Sequence, residues 1–180
     1  MQNIGCFLKK HVVSLCFLFV TLLLMAWIYS FSGQVSAESN ETAEGVCFFI
    51  ASIFVKGFTN FESAEQTALI MSIVPIVRKI AHFSIFAALG FFSYLTQAAY
   101  LIENKKEVMG KGCALFSSFF CLIYAISDEA HQLFVEGRSG KVTDVLIDFL
   151  GAVLGIGFAV LIIYLVFKFI KKKCQKEKIL

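Results

Sequence analysis

"AISDEAHQLFVEGRSGKVTDVLIDFLGAVLG", residues 125–155, lies between two of the most apolar parts of the chain. It concentrates ionisable side chains into a short stretch: Asp128, Glu129, His131, Glu136, Arg138, Lys141, Asp144 and Asp148. Apolar runs do not carry such groups without compensation, because an unpaired charge in an apolar environment is costly. The stretch therefore predicts the ends of two hydrophobic helices and the turn that joins them.

The composition of the 180-residue chain indicates a membrane protein. Its hydrophobic fraction is 58%, only 16% of its residues are charged, and 21 are phenylalanine. A chain of this length forms a single domain, 1–180, and has too little interior to hide so much apolar surface from water. A net charge of only +3, with no recognisable binding fold, argues against nucleic acid as a partner and leaves membrane lipids as the expected surroundings.

Four hydrophobic runs are long enough to cross a bilayer as helices, which takes about 20 residues. We therefore predict an all-α, polytopic membrane protein. It should have about four transmembrane helices, with an outer interfacial amphipathic segment between the first two. The predicted spans are 12–31, 80–102, 113–134 and 142–167.

The basic residues predict how these spans are oriented. Lysine and arginine accumulate in the cytoplasmic loops of membrane proteins. Most of the 16 basic residues precede the first span, separate the second from the third, or follow the fourth. We expect a multi-pass protein of the cell membrane with both termini cytoplasmic, an outer loop at 32–79 and a cytoplasmic tail at 168–180. In the alternative, 1–37 is a signal peptide, and the mature protein starts at Glu38 without the first span.

The segment between the first two spans has a polar part and an apolar part. Residues 32–44 are polar and acidic and are predicted to form a loop, whereas 45–58 are apolar but too short to cross. Thr59 and Glu62 have the spacing of a capping box, which predicts a helix that starts there and runs to Pro75. We expect one or two amphipathic helices on the outer interface. A re-entrant hairpin that covers the site is the alternative.

Polar side chains occur at the same end of every predicted span. The candidate functional residues are Ser32, Gln34, Arg78, Lys79, His82, Asp128, Glu129, His131, Gln132, Arg138, Asp144 and Asp148. Helical spacing places Asp128, His131 and Gln132 on one face, and Asp144 and Asp148 on another. Ionisable groups within membranes usually face the bundle interior and serve a function. Their convergence at one depth predicts an outward-facing polar pocket.

Some of these features also have a purely structural interpretation. Gly151 and Gly155 form a GxxxG motif, which lets a neighbouring helix approach closely. Arg138 and Asp144 can form an ion pair that fixes the outer loop. Neither interpretation accounts for two acids, a histidine and a glutamine within five residues, so a functional cluster remains the favoured reading.

Three segments together resemble the VanZ-like membrane protein family: FSGQVSAES (31–39), RKIAHFSIFAALG (78–90) and SDEAHQLFVEGRSGKVTDVLIDFLGAVLG (127–155). That family has a Ser/Gln element after the first span and Arg-Lys-x-x-His at the second. Asp-Glu-x-x-Gln, Gly-Arg and Asp-x-x-x-Asn-x-x-Gly-x-x-x-Gly follow in order. The chain departs from this pattern at Asp148, where asparagine is usual, and at Glu136, where proline is usual. The resemblance implies four or five spans and a link to low-level teicoplanin resistance.

Three classes of function are compatible with the predicted pocket. The resemblance favours a cell-envelope protein that contributes to resistance to glycopeptide-type antibiotics. Its pocket would bind a lipid-linked cell-wall precursor or the antibiotic, with Arg138 and Glu129 among the contacts. The second class is an intramembrane enzyme that uses acids and histidines as acid/base groups or metal ligands; no zinc-hydrolase motif is present, so we predict no metal and no cofactor. The third is a small transporter, which the apolar lower halves of the spans disfavour.

Overall fold

The computed structural model describes residues 10–34, 36–104, 106 and 110–177. Within these residues the chain forms helices and no strands. The helices are α1 (Val12–Ser32), α2 (Ser36–Phe54), α3 (Ser63–Glu103), α4 (Gly110–Gln132) and α5 (Val142–Glu177), with a short 3-10 turn at Phe58–Asn60 before α3. By length and composition, α1, α3, α4 and α5 can each cross a membrane. The prediction of an all-α polytopic protein with four candidate spans is confirmed.

Helix α3 is much longer than the span predicted within it. Its 41 residues extend about 60 Å, roughly twice the thickness of the hydrocarbon core. The predicted helix end at Pro75 is wrong, because α3 continues through that proline. The predicted capping box is also wrong: Glu62 is the N-cap residue and its side chain makes no capping hydrogen bond, while Thr59 lies in the 3-10 turn.

Packing against α2 accounts for the uninterrupted course of α3. Ala43 and Cys47 of α2 bury against Val74 of α3, with Ile73 and Val77 alongside. A proline inside a helix loses one backbone hydrogen bond, at a cost of about 3 kcal/mol, and the packing of Ile73, Val74 and Val77 against α2 offsets that cost. Residues 36–44 were predicted as a loop, but they are helical and begin α2. The apolar part of α2 is too short to be a candidate span, as predicted.

The closest helix pair is α3 and α5, which pack on each other more extensively than any other pair of described helices. A side chain at Gly151 would collide with the backbone of Phe83, and one at Gly155 with the backbone of Ala87. Gly90 of α3 faces Ala152 in the same way. The interface is therefore built from backbone against backbone, which brings the polar residues at the ends of the two helices close together.

Helix α1 is attached at its first turn by a carboxylate of α3. Oε1 of Glu103 accepts hydrogen bonds from the backbone N–H groups of Val13 and Ser14, at 3.0 and 3.1 Å. Oε2 accepts one from the Ser14 hydroxyl at 2.5 Å and lies 3.1 Å from Nδ1 of His11. These bonds satisfy N–H groups that a helix start leaves without partners.

The tail from 168 onward continues α5 as helix to Glu177.

Candidate functional site

The predicted polar residues meet at the opposite end of the bundle from Glu103. There the N-terminal half of α3, the C-terminal end of α4, the N-terminal end of α5 and the loop between α4 and α5 enclose a cavity of about 370 Å³, called the polar pocket below. Its lining residues are Met71, Val74, Pro75, Arg78, Lys79, His82, Glu129, Gln132, Gly137, Arg138, Ser139, Lys141, Asp144, Ile147 and Asp148. The structure thus collects eight of the twelve candidate residues into the wall of one cavity.

Beneath the pocket, a buried hydrogen-bond network joins α1 to α4. The hydroxyl of Ser32 donates to Oδ2 of Asp128 at 2.8 Å, and Nε2 of Gln132 donates to the same oxygen at 3.2 Å. All three residues are buried. The other oxygen, Oδ1 of Asp128, is buried and has no hydrogen-bond partner in the described part of the chain. One edge of this carboxylate is therefore fixed while the other is available.

Glu129 holds the loop between α4 and α5 in place. Its Oε1 accepts a hydrogen bond of 2.6 Å from the backbone N–H of Lys141, at the far end of the loop. Gly137 has a φ of 74°, a left-handed conformation that glycine adopts without steric cost. The turn at Gly137 and the bond to Glu129 together set the position of the intervening Arg138.

The guanidinium of Arg138 is only partly satisfied by the protein. Nη2 donates to the backbone oxygen of Phe31 at 3.2 Å, but Nε and Nη1 are buried and have no hydrogen-bond partner among the described residues. Burial, and then the positive charge of Arg78, lower the pKa of Arg138 from its usual value. A guanidinium keeps its positive charge in proteins. Arg138 therefore brings a cation with two unused N–H donors to the site.

An ion pair and a histidine–carboxylate contact connect α3 to α5 across the pocket. Nζ of Lys79 lies 3.0 Å from Oδ1 of Asp144, so the aspartate considered as a partner for Arg138 is paired with a lysine instead. Nδ1 of His82 lies 3.9 Å from Oδ2 of Asp148. Asp148 is almost fully buried, whereas Lys79 is half exposed. The floor of the pocket is thus acidic and buried, and its rim is basic.

Four candidate residues do not line the polar pocket: Ser32 and Asp128 belong to the network beneath it, and His131 and Gln34 lie elsewhere. His131 stacks on Tyr29 of α1, with ring centroids 4.5 Å apart. Gln34 follows α1, and its Oε1 is buried with no hydrogen-bond partner in the described chain. Tyr29 was missed by sequence reasoning, although it lies three residues before Ser32 and therefore near the same face of α1.

An apolar groove of about 480 Å³ adjoins the polar pocket. It lies between α1, α2 and α3, and its walls are Leu24, Trp27, Ile28, Phe31, Gln34, Ala43, Val46, Val77, Arg78, Ala81, His82, Ser84, Ile85, Ala88 and Arg138. Arg78, His82 and Arg138 line both cavities. The pattern of polar residues predicted the pocket, but the groove is made by ordinary apolar side chains that carry no sequence signal.

Fold and site together define a polytopic helical membrane protein with a polar pocket at one end of its bundle. The VanZ/LLP1 family model matches residues 17–167, and the chain belongs to this family. The match spans every candidate residue and confirms the resemblance seen in the sequence motifs. No curated protein and no solved structure matches the chain.

Proposed function

We propose that this chain is a protein of the bacterial cell membrane whose polar pocket binds the anionic head group of a lipid-linked or antibiotic ligand. Through that binding it contributes to resistance to glycopeptide-type antibiotics. The observation that carries the proposal is the continuity between the polar pocket and the apolar groove, which share Arg78, His82 and Arg138. A ligand with a charged head and a hydrocarbon part matches both cavities at once.

The basic rim supports an anionic head group. Arg138 offers Nε–H and Nη1–H, which point into the interior without partners among the described residues. Guanidinium presents paired donors that fit a phosphate or carboxylate, so an anion at this position completes the hydrogen bonding of Arg138. Lys79 and Arg78 add positive charge on α3, and Glu129 and Gln132 supply acceptor and donor groups that orient the ligand.

The apolar groove supports a hydrocarbon part. Trp27 and Phe31 of α1 and Val46 of α2 are exposed on its wall. Within a bilayer a hydrocarbon chain is already out of water, so its fit to this surface depends on van der Waals packing. A ligand already resident in the membrane can place its chain in the groove and its head in the pocket.

The distribution of basic residues supports a pocket on the outer side of the membrane. Lys106 lies at the end of the bundle opposite the pocket, and the exposed lysines 168–173 lie along the far part of α5. Cytoplasmic enrichment of lysine then places both termini inside and the pocket outside. Cell-wall precursors and glycopeptide antibiotics are both present at the outer face of the cell membrane.

A growth assay against a panel of envelope antibiotics tests the proposal. Cells that carry the wild-type chain should tolerate higher glycopeptide concentrations than cells that carry Arg138→Ala, at equal amounts of protein in the membrane. Lys56→Ala is the matched control, because it removes one positive charge from an exposed turn between α2 and α3. Glu129→Ala should also lose tolerance, and the exposed Glu65→Ala should not. Full tolerance with both Arg138→Ala and Glu129→Ala would reject the proposal.

An intramembrane enzyme that acts on a lipid-linked substrate is the second candidate. The approach of His82 to Asp148 favours it, because a histidine beside a carboxylate is a common acid/base pair. It predicts that purified protein releases phosphate from a polyprenyl diphosphate and that His82→Gln abolishes the release. If folded wild-type protein leaves the polyprenyl diphosphate intact, the enzyme candidate is rejected and ligand binding remains as the proposed function.

A further inference from the structure

Three side chains from three different helices converge at the floor of the polar pocket and just beneath it. His82 of α3, Asp128 of α4 and Asp148 of α5 each offer one nitrogen or oxygen atom, and these atoms lie within 4.8 Å of one another. Both aspartates are buried, at 4% and 3% exposure. Because the three residues are far apart in the sequence, no short sequence motif identifies them as a possible metal site.

We propose that His82, Asp128 and Asp148 form a binding site for one divalent metal cation of the Mn²⁺ or Zn²⁺ type. Imidazole suits Zn²⁺, carboxylates suit Mn²⁺, and a mixed set of one imidazole and two carboxylates is compatible with either. Two ligand atoms that share an ion at about 2.1 Å are about 3.0 to 3.5 Å apart. The three atoms reach that spacing through side-chain movements of about 1 Å.

The state of Asp128 is an independent indication of a ligand. Oδ2 is held by Ser32 and Gln132, at 2.8 and 3.2 Å, whereas Oδ1 is buried and accepts no hydrogen bond from the described residues. A buried acceptor without a partner costs about 1–3 kcal/mol, and more when it is charged. A cation would satisfy Oδ1. The hydrogen bonds from Ser32 and Gln132 to Oδ2 would then fix the orientation of the Asp128 carboxylate, as hydrogen-bond partners of metal ligands do at other metal sites.

The neighbouring acids already have partners, which singles out the three proposed ligands. Asp144 pairs with Lys79, and Glu129 accepts the backbone N–H of Lys141. The side-chain partner that the structure gives Asp148 among the described residues is the His82 imidazole, at 3.9 Å. Two buried carboxylates beside one imidazole carry negative charge, which Arg138 offsets in part near Asp128 and which a divalent cation would neutralise between the carboxylates themselves.

The negative charge at Asp148 distinguishes this chain from the motif that it resembles. The motif that the chain resembles has asparagine at this position, and an amide oxygen carries no charge. Asp148→Asn therefore removes one negative charge with almost no change in shape. The proposal does not depend on the proposed antibiotic or lipid ligand, since a cation at the floor of the pocket requires only these three side chains.

Metal binding to purified protein in detergent tests the inference. After stripping with a chelator, titration with Mn²⁺ and, separately, Zn²⁺ by calorimetry should show one equivalent bound by the wild type for at least one of them. Asp148→Asn should weaken that binding at least about tenfold. Glu65→Gln is the control, because it removes one negative charge from an exposed position of α3 that lines neither cavity, and it should bind the metal as the wild type does.

A second measurement keeps the test decisive if a variant unfolds. Bound metal should raise the thermal unfolding temperature of the wild type, and His82→Gln should lose that increase while retaining its elution volume. No binding of either metal by the folded wild type, or equal affinity in the wild type and Asp148→Asn, would overturn the inference. Neither result involves an antibiotic, so the growth assay with Arg138→Ala can still succeed or fail on its own.

Discussion

The hydroxyl of Ser32 donates a hydrogen bond of 2.8 Å to Oδ2 of Asp128, which joins the last turn of α1 to the last turns of α4. Both residues are buried, and Gln132 shares the same oxygen. This contact is the most direct link between α1 and the polar pocket. It explains why a serine at the end of the first span belongs to a site formed mainly by α3, α4 and α5.

Ser32→Ala should destabilise the protein by about 1–3 kcal/mol, because it removes a buried donor and leaves the Asp128 carboxylate with fewer partners. Unfolding in mixed detergent micelles measures the loss. Ser30→Ala, at an exposed position of the same helix, is the control and should change the stability little. Equal stabilities for the two variants would show that the hydrogen bond contributes nothing.

Gly155→Leu should push α3 and α5 apart and destabilise the protein by at least about 1–3 kcal/mol, because its Cβ would collide with the backbone of Ala87. Gly157→Leu on the same helix provides the comparison, since no heavy atom lies within 4 Å of a Cβ at that position. This second variant should be as stable as the wild type, or more so, because glycine costs about 1 kcal/mol in a helix interior. The same detergent unfolding assay distinguishes them, and similar losses in both would contradict the observed packing.

Glu103→Gln should loosen the start of α1, because the amide cannot supply two charged acceptor oxygens to Val13, Ser14 and His11. The expected loss of stability is about 1–3 kcal/mol. Hydrogen exchange of the first turn of α1 should also become faster. Glu62→Gln serves as the reference, since the Glu62 side chain makes no capping hydrogen bond; an equally large effect there would refute the role of Glu103.

Labelling of single cysteines tests the orientation of the chain. In a variant whose six native cysteines are replaced, Lys56→Cys should react with a membrane-impermeant maleimide added to intact cells. Lys106→Cys, which is exposed at the other end of the bundle, should react only after lysis. The reverse pattern would place the polar pocket on the cytoplasmic side.

The four spans and the shared depth of the polar residues could be predicted because both depend on local periodicity. A helix places Asp128 and Gln132 on one face whatever surrounds it. The identity of each partner could not be predicted, because it depends on which helices become neighbours. Asp144, for example, is paired with Lys79 of α3 and not with the nearby Arg138.

The course of α3 through Pro75 shows a second limit of local rules. Proline breaks an isolated helix, and the sequence around it gives no sign of the compensation. That compensation comes from α2, whose Ala43 and Cys47 are small enough to pack closely beside Val74. Glu103 escaped attention for a related reason: it resembles an ordinary charged residue at a helix end until His11 and Ser14 are seen beside it.

The attachment of α1 at both of its ends fixes one wall of the apolar groove. Glu103 holds the first turn of α1 and Asp128 holds the last. The groove residues Trp27 and Phe31 lie on the length of α1 between these two attachments, so their positions depend on both carboxylates. A substitution of Glu103, at the far end of the bundle, would therefore alter the shape of the groove beside Arg138.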